Sequence, residues 1–243
     1  MSDPSPATDS EPLVSIDGRD LLVTLAIGLG FLAALMLAIL LFGYIARPGR
    51  SATTVLDLLF GSAAYAGVLA AVWLAVVAIR GRRPTDMGLR PCGLRLQWAG
   101  ILLGLSWVGA ASLFYLATGQ WDTAMSGGRN LMRPFLQGGI SFVLLLVLAG
   151  PVAAVVEEIV FRGLLYGWLR QKAGVVISAV VSSLLFTAAH FYVYSAGIVF
   201  VVEMVSLSVA LALLFEYSRS LWPGILCHAV NNLVVLVLYM IAG

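Results

Sequence analysis

The chain has 243 residues, of which 61% are hydrophobic, and its formal net charge is +2. Soluble domains contain about 45–50% apolar residues, so this composition excludes an ordinary soluble globular protein. The small net charge offers no basic surface for nucleic acid, and two cysteines, Cys92 and Cys227, are too few for a disulfide framework. We therefore expect an integral, multi-pass membrane protein, with the lipid bilayer as one of its partners.

The first 18 residues are polar and acidic, with Asp3, Glu11 and Asp17 among them. They lack the basic start and the cleavage site of a signal peptide. We expect a disordered, uncleaved cytoplasmic tail over residues 1–18. Membrane-spanning helices of a generic kind are then expected over residues 19–134.

Apolar segments near the roughly 20 residues that span a bilayer follow one another along the chain. They predict an all-α fold, a polytopic transmembrane helical bundle of about seven spans. Six or eight spans are possible, because Pro151 interrupts the fourth segment and only residues 195–197 separate the fifth from the sixth. The segments are 21–43, 55–79, 98–117, 135–160, 175–194, 196–215 and 221–241.

Basic residues are distributed unequally between the two sides of the predicted bundle. The side that carries the N-terminus collects ten of the 14 Lys and Arg residues, and the other side has Arg47, Arg50, Arg129 and Arg133. Because positive loops stay in the cytoplasm, the N-terminus is predicted to be cytoplasmic. The ten are Arg19, Arg80, Arg82, Arg83, Arg90, Arg95, Arg162, Arg170, Lys172 and Arg219.

Two adjacent glutamates, Glu157 and Glu158, lie at the inner end of the fourth span. An ionised carboxylate in hydrocarbon is costly, so an intramembrane pair indicates a functional site. Glu158 and Arg162 are four residues apart and therefore share a helix face, which predicts an ion pair. Glu157 is turned by about 100° and can remain available for chemistry. A purely structural charge cluster is the alternative.

His190 in the fifth span is predicted to lie level with Glu157. The midpoint of positions 157 and 190 falls between Ala173 and Gly174, where a helical hairpin would turn. Phe186 is one helical turn before His190 and is expected to pack on the imidazole. A buried histidine of this kind is otherwise a satisfied core residue.

The seventh span carries His228 and Asn232 four residues apart, so their side chains share one helix face. A histidine and an asparagine placed side by side offer two hydrogen-bond donors, which an oxyanion hole requires. Hydrogen bonding between membrane helices is the competing interpretation.

These motifs together carry a family resemblance: Glu157-Glu158-Ile159-Val160-Phe161-Arg162-Gly163, then Phe186-x-x-x-His190, then His228-x-x-x-Asn232. In this order, on successive helices, they resemble the CPBP (ABI) family, the intramembrane proteases related to the type II CAAX prenyl endopeptidase. The resemblance covers about residues 135–243, which would form the catalytic helical core. The basic loop around Met87 and Arg90 is similar to bacterial members, so we expect the plasma membrane of a prokaryote.

The resemblance implies an intramembrane glutamate endopeptidase with a cavity open towards the cytosol. Glu157 with His190 would activate water, His228 and Asn232 would stabilise the oxyanion, and Glu158 with Arg162 would support the site. The implied partner is a membrane-associated protein or peptide substrate, possibly lipidated, with no cofactor and no metal. Eukaryotic relatives remove three residues after a prenylated cysteine, but the motifs do not identify the substrate of this chain.

The same residues also allow other interpretations. Zinc could be held by Glu157, His190 and His228 with water in the fourth position, although no His-Glu-x-x-His motif is present. A non-catalytic scaffold or immunity factor, or a proton-coupled carrier that uses Glu203 as well, is a different class. Glu203, in the middle of the sixth span, is the residue that the protease interpretation explains least.

Overall fold

The computed structural model describes residues 13–46, 50–133, 135, 139–190 and 197–241. The described residues form helices and connecting loops without a β-strand, which confirms the predicted all-α fold class. Nine α-helices occur in this part of the chain: α1 (Gly18–Ala46), α2 (Arg50–Val72), α3 (Leu94–Ala117), α4 (Trp121–Met132), α5 (Gly139–Val147), α6 (Ala153–Glu158), α7 (Gly167–Ala189), α8 (Ile198–Ser218) and α9 (Trp222–Ile241).

Six helical stretches of the described chain are long and apolar enough to cross a membrane. One of them, Gly139–Ala189, has 51 residues. At about 1.5 Å per residue a straight helix of that length would measure about 76 Å, more than twice the hydrocarbon thickness. It turns at Gly174, where φ is 74° and ψ is 177°. The stretch therefore makes two crossings. The turn at Gly174 confirms the predicted hairpin turn, midway between Glu157 and His190.

The first leg of this hairpin stays helical through Pro151 because its helix widens there. Proline has no N–H to donate, and the turn around it, Leu148–Val152, is π-helical. A second π-helical stretch, Ile159–Tyr166, follows α6. The two wide stretches bracket Glu157 and Glu158, and π-turns of this kind recur at functional sites.

Residues 13–18 do not belong to a disordered tail, which corrects that part of the expectation for residues 1–18. Val14 and Ile16 are buried, with 1% and 2% of their surface exposed. The Ser15 N–H donates to the carbonyl oxygen of Asp86 at 2.9 Å. Val14 lies so close to Gly167 that a Cβ on that glycine would clash with it. The apolar side chains in the 13–16 segment therefore join the core, while residues 1–12 lie outside the described chain.

An ionic cluster fixes this N-terminal segment to the end of the second span. Arg80 donates to the Asp17 and Asp20 carboxylates, each at 2.7 Å. The backbone N–H of Asp20, the backbone N–H of Arg19 and the nearby arginines hold the pKa of Asp17 below its usual range. Asp17 is therefore expected to hold the segment in place only while it is ionised.

The helices before residue 135 pack directly on the helices after it. On α3, a Cβ at Gly100 would lie 2.2 Å from the carbonyl oxygen of Pro223, and one at Gly104 would lie 2.5 Å from that of Cys227. Small residues allow this close backbone approach, as is usual between membrane helices. Because α3 and α9 are in contact along these turns, α3 forms one wall of the interior of the bundle.

The bundle has two distinguishable ends. At the first end, which we call the basic end, the N-terminal segment meets the 80–93 loop and the turn between α8 and α9. The Leu221 N–H donates to the carbonyl oxygen of Gly88 at 2.9 Å there. The opposite end, where α3 ends and α4 follows, is called the α4 end. Of the ten basic residues predicted to be cytoplasmic, nine belong to the segments at or next to the basic end. The tenth, Arg162, is buried in the interior.

Candidate active site

Glu157 is surrounded by one tyrosine and the two histidines of the chain. Tyr65 on α2 donates its hydroxyl to Oε1 at 2.8 Å. Nε2 of His190 lies 3.5 Å from Oε2, and Nε2 of His228 lies 3.6 Å from the same oxygen. These separations exceed an ordinary hydrogen bond, so a water molecule could be shared between Glu157 and either imidazole.

Glu158 points away from Glu157 into a fully buried ion pair. Arg162 Nη1 donates to Oε1 of Glu158 at 2.9 Å, and both side chains are only 1% exposed. Arg162 Nη2 donates to the carbonyl oxygen and the hydroxyl of Ser208 at 3.0 and 2.9 Å. The predicted four-residue pair is present, and it ties the first leg of the hairpin to α8.

The same Glu158 oxygen also orients His228. Nδ1 of His228 lies 3.0 Å from Oε1 of Glu158. A carboxylate only accepts hydrogen bonds, so Nδ1 carries a proton and Nε2 is directed towards Glu157. Glu158 therefore links Arg162 to His228.

Phe186 packs against the histidines and the arginine at the centre of the cluster. Its ring centroid lies 4.5 Å from that of His190 and 5.8 Å from that of His228. The guanidinium carbon of Arg162 lies 4.7 Å from the same centroid. The predicted contact with His190 is confirmed, and the ring separates Arg162 from the imidazole by an apolar surface.

The end of α7 fixes the tautomer of His190. Its Nδ1 lies 2.8 Å from the carbonyl oxygen of Phe186, which can only accept, so Nδ1 carries a proton. In the neutral imidazole, Nε2 is then an acceptor directed towards Glu157. His190 can therefore hold a proton-donating molecule next to the Glu157 carboxylate.

Asn232 lies on the same face of α9 as His228, as predicted. Its Nδ2 donates to the carbonyl oxygen of Ala149 in the π-helical stretch at 2.8 Å. An amide nitrogen carries two hydrogens, so one donor remains for another acceptor. The bond to Ala149 also fixes the plane of the amide.

One cavity of about 220 Å³ is lined by all four residues predicted to be catalytic. It is also lined by Tyr65 and Glu203, and by residues 108–115 of α3, 200–211 of α8 and 228–239 of α9. These segments form the half of the bundle towards the α4 end. The predicted orientation of the N-terminus and the predicted opening of the cavity towards the cytosol both stay predictions.

Two contributors to the site carry little signal in the sequence. Tyr65 lies in a largely apolar span in which Ser62, one helical turn earlier, is the nearest polar residue, and the packing of α2 brings Tyr65 to Glu157. Ser208 in an apolar span has the pattern of a serine that packs between membrane helices, and in the structure its hydroxyl accepts a hydrogen bond from Arg162. The one sequence feature that marks Ser208 is its position in the middle of the span that also contains Glu203.

Among the described residues, no group of three or more His, Cys, Asp and Glu side chains has an arrangement that could hold a metal ion. Glu157, His190 and His228 are close together, with Nε2 of the two imidazoles 3.5 and 3.6 Å from the same glutamate oxygen. The zinc interpretation stays an alternative prediction, and the mechanism proposed below uses only side chains of this chain and water.

The fold and the site define a class of protein: a polytopic helical membrane protein with a buried glutamate and histidine cluster in an internal cavity. Residues 139–234 match the family model described as "Type II CAAX prenyl endopeptidase Rce1-like". The chain thus contains an Rce1-like domain, which confirms the resemblance and supports an intramembrane protease of the CAAX type. No curated protein matched the chain. No solved structure matched it either.

Proposed function

We propose that this protein is an intramembrane endopeptidase in which Glu157 and His190 activate a water molecule to hydrolyse a peptide bond. One observation carries the proposal. Glu157 lies in a cavity with two imidazole nitrogens directed at one of its oxygens, at 3.5 and 3.6 Å. A general base must lie within hydrogen-bond reach of the proton that it takes, directly or through water.

The first step is attack by water on the scissile carbonyl carbon. The water donates one hydrogen bond to Glu157 Oε2 and the other to the unprotonated Nε2 of His190. Glu157 accepts a proton as the water oxygen forms its bond to carbon. Tyr65 stays bonded to Oε1 and keeps the carboxylate in place. Because water is the nucleophile, no serine or cysteine is required.

The tetrahedral intermediate carries a negative oxygen that needs donors. Asn232 offers its second amide hydrogen, and His228 offers Nε2–H when its ring is protonated. Nδ1 of His228 is already bonded to Glu158, so a protonated ring has this carboxylate beside it to compensate its charge while Glu157 holds the proton taken from water. The C–N bond then breaks, and the proton held by Glu157 passes to the leaving amine.

The family match of residues 139–234 and the membrane-spanning helices support one substrate class. We propose a membrane-associated protein or peptide as the substrate. The excess of basic residues near the basic end supports a cytoplasmic N-terminus in a prokaryotic plasma membrane. With that orientation the α4 end faces the extracytoplasmic side.

Comparative proteomics tests the function while the substrate is still unidentified. Membranes that contain the wild-type protein are compared with membranes that contain Glu157→Gln at equal abundance. The expected result is a new C-terminal or juxtamembrane end in one or more membrane proteins, present only with the wild-type chain. An identical set of termini in both membranes would instead favour a non-catalytic scaffold or carrier.

A further inference from the structure

We propose that Glu203 forms a specificity subsite in the catalytic cavity that takes a cationic group of the substrate peptide. The group is the side chain of a Lys or Arg near the scissile bond, or a free α-amino group. This inference rests on the proposed endopeptidase function and adds the chemistry by which a substrate is selected.

Glu203 occupies the cavity but takes no part in the proposed hydrolysis. It lies on α8, five residues after the helix begins at Ile198. Tyr115 of α3 donates its hydroxyl to Glu203 Oε2 at 2.7 Å. Both residues line the same cavity as Glu157, and Tyr115 lies near the α4 end of its helix. A peptide bound at Glu157 therefore has Glu203 within the same enclosed space.

The charges around the three interior glutamates differ. Glu157 lies next to His190 and His228, and Glu158 is bonded to Arg162 and His228. Within the described chain, no arginine, lysine or histidine forms an ion pair with Glu203. Its partner is a neutral phenol.

A carboxylate in an apolar cavity requires compensation when it is ionised, because a hydrogen bond from a neutral donor does not balance the charge. Next to Glu203 on α8, the apolar side chains of Phe200 and Met204 line the same cavity. A substrate cation that reaches Glu203 would supply the missing charge in a low-dielectric space, where a charge-assisted hydrogen bond is strong.

The same carboxylate selects against negative groups. An acidic side chain or a free C-terminal carboxylate placed beside Glu203 would meet a like charge in a poorly solvated space. We therefore expect an internal or N-terminal peptide segment at this end of the cavity, and we do not expect the C-terminus of the substrate there.

Cleavage of a designed peptide pool tests the subsite. The pool consists of internally quenched peptides with one apolar framework that carries a single Lys, Arg, norleucine or Glu at each position in turn. Each peptide is made with a free and with an acetylated N-terminus, so that the two sources of cation are separated. For the wild-type protein in detergent, we expect kcat/KM for the best cationic peptide to exceed that of its neutral counterpart by about 10- to 100-fold.

Three variants of Glu203 make the test specific. Glu203→Gln keeps the shape and the bond to Tyr115, and the preference should vanish. Glu203→Lys should favour the Glu-containing peptides, and Glu203→Asp should retain a preference for cations. Equal cleavage of cationic and neutral peptides by the wild-type protein, or an unchanged preference in Glu203→Gln, would overturn the proposal. Loss of the preference in both Glu203→Gln and Glu203→Asp would also overturn the proposal, because that result would assign Glu203 a role in packing.

A binding measurement separates this proposal from the proposed hydrolysis. The Glu157→Gln protein is titrated with the same peptides, and binding is followed by fluorescence anisotropy. A cationic preference of about 10-fold or more that is absent from the Glu157→Gln/Glu203→Gln protein supports the subsite, even if the wild-type protein cleaves nothing. Cleavage without any charge preference would overturn the subsite and leave the endopeptidase function standing.

Discussion

Replacing Arg162 with alanine should destabilise the protein strongly. The guanidinium is 1% exposed, pairs with Glu158 at 2.9 Å and donates to Ser208. Removing one partner of a buried ion pair leaves an uncompensated buried charge, which typically costs about 3–5 kcal/mol. His228 remains beside Glu158 in the variant and can compensate part of that charge, so the lower end of this range is expected.

Arg170→Ala is the matched control for this experiment. Arg170 pairs with Glu216 at 3.0 Å, but the two side chains are 35% and 23% exposed. Exposed pairs contribute about 0–1 kcal/mol. The two ion pairs have similar N···O separations. Arg170→Ala should therefore lower the free energy of unfolding several-fold less than Arg162→Ala does.

The assay is unfolding of the purified proteins in one detergent, by heat and by denaturant, with peptidase activity measured in parallel. The Glu158→Gln/Arg162→Met variant removes both charges and should recover most of the lost stability, because an apolar replacement of a buried pair is often neutral. Its activity should stay low, since His228 has lost the carboxylate that orients it. If Arg162→Ala is no less stable than Arg170→Ala, the account of this ion pair is wrong. Lost activity at full stability would instead place Arg162 in substrate binding.

Three further predictions concern other parts of the molecule. Asn232→Ala should lower kcat by roughly 10²–10³ with KM nearly unchanged, as loss of an oxyanion donor does; a change mainly in KM would assign it to substrate binding. The pKa of Asp17 is depressed in the folded protein, so its contribution to stability is present above about pH 4 and is lost as pH falls further. The melting temperature of Asp17→Asn should therefore fall less on acidification than that of the wild-type protein, and equal falls would contradict this role. In spheroplasts, a membrane-impermeant maleimide should leave Cys92 unlabelled in a Cys227→Ser background and should label an added Asp122→Cys; the reverse pattern would invert the proposed orientation.

Sequence spacing was sufficient for the parts of the site that depend on local helix geometry. Glu158 and Arg162 pair because they are four residues apart on one helix. His190 reaches Glu157 because the hairpin turns at Gly174, halfway between them. His228 and Asn232 share a helix face because they, too, are four residues apart. These relationships need only the helical period and the position of one turn.

Other features depend on contacts that no local pattern encodes. Tyr65 reaches Glu157 across 92 positions of sequence, and its span is largely apolar, with Asp57 and Ser62 as the other polar residues. The π-helical stretches on either side of Glu157 change the helix period without a distinct residue pattern, apart from Pro151. The core position of Val14 and Ile16 is indicated only by apolar residues within a polar segment, and the overall polarity of that segment outweighs this signal and favours a tail.

The most direct test of the central claim compares the cleavage rates of purified wild-type protein and Glu157→Gln on one peptide substrate. Glutamine keeps the shape of the side chain and can still accept the bond from Tyr65, but it cannot take a proton from water. Glu216→Gln, the same change outside the cavity, is the control and should retain activity. The account predicts that Glu157→Gln loses at least about 10²-fold in rate while it still inserts into the membrane. A Glu157→Gln rate close to that of the wild-type protein would contradict the proposed mechanism.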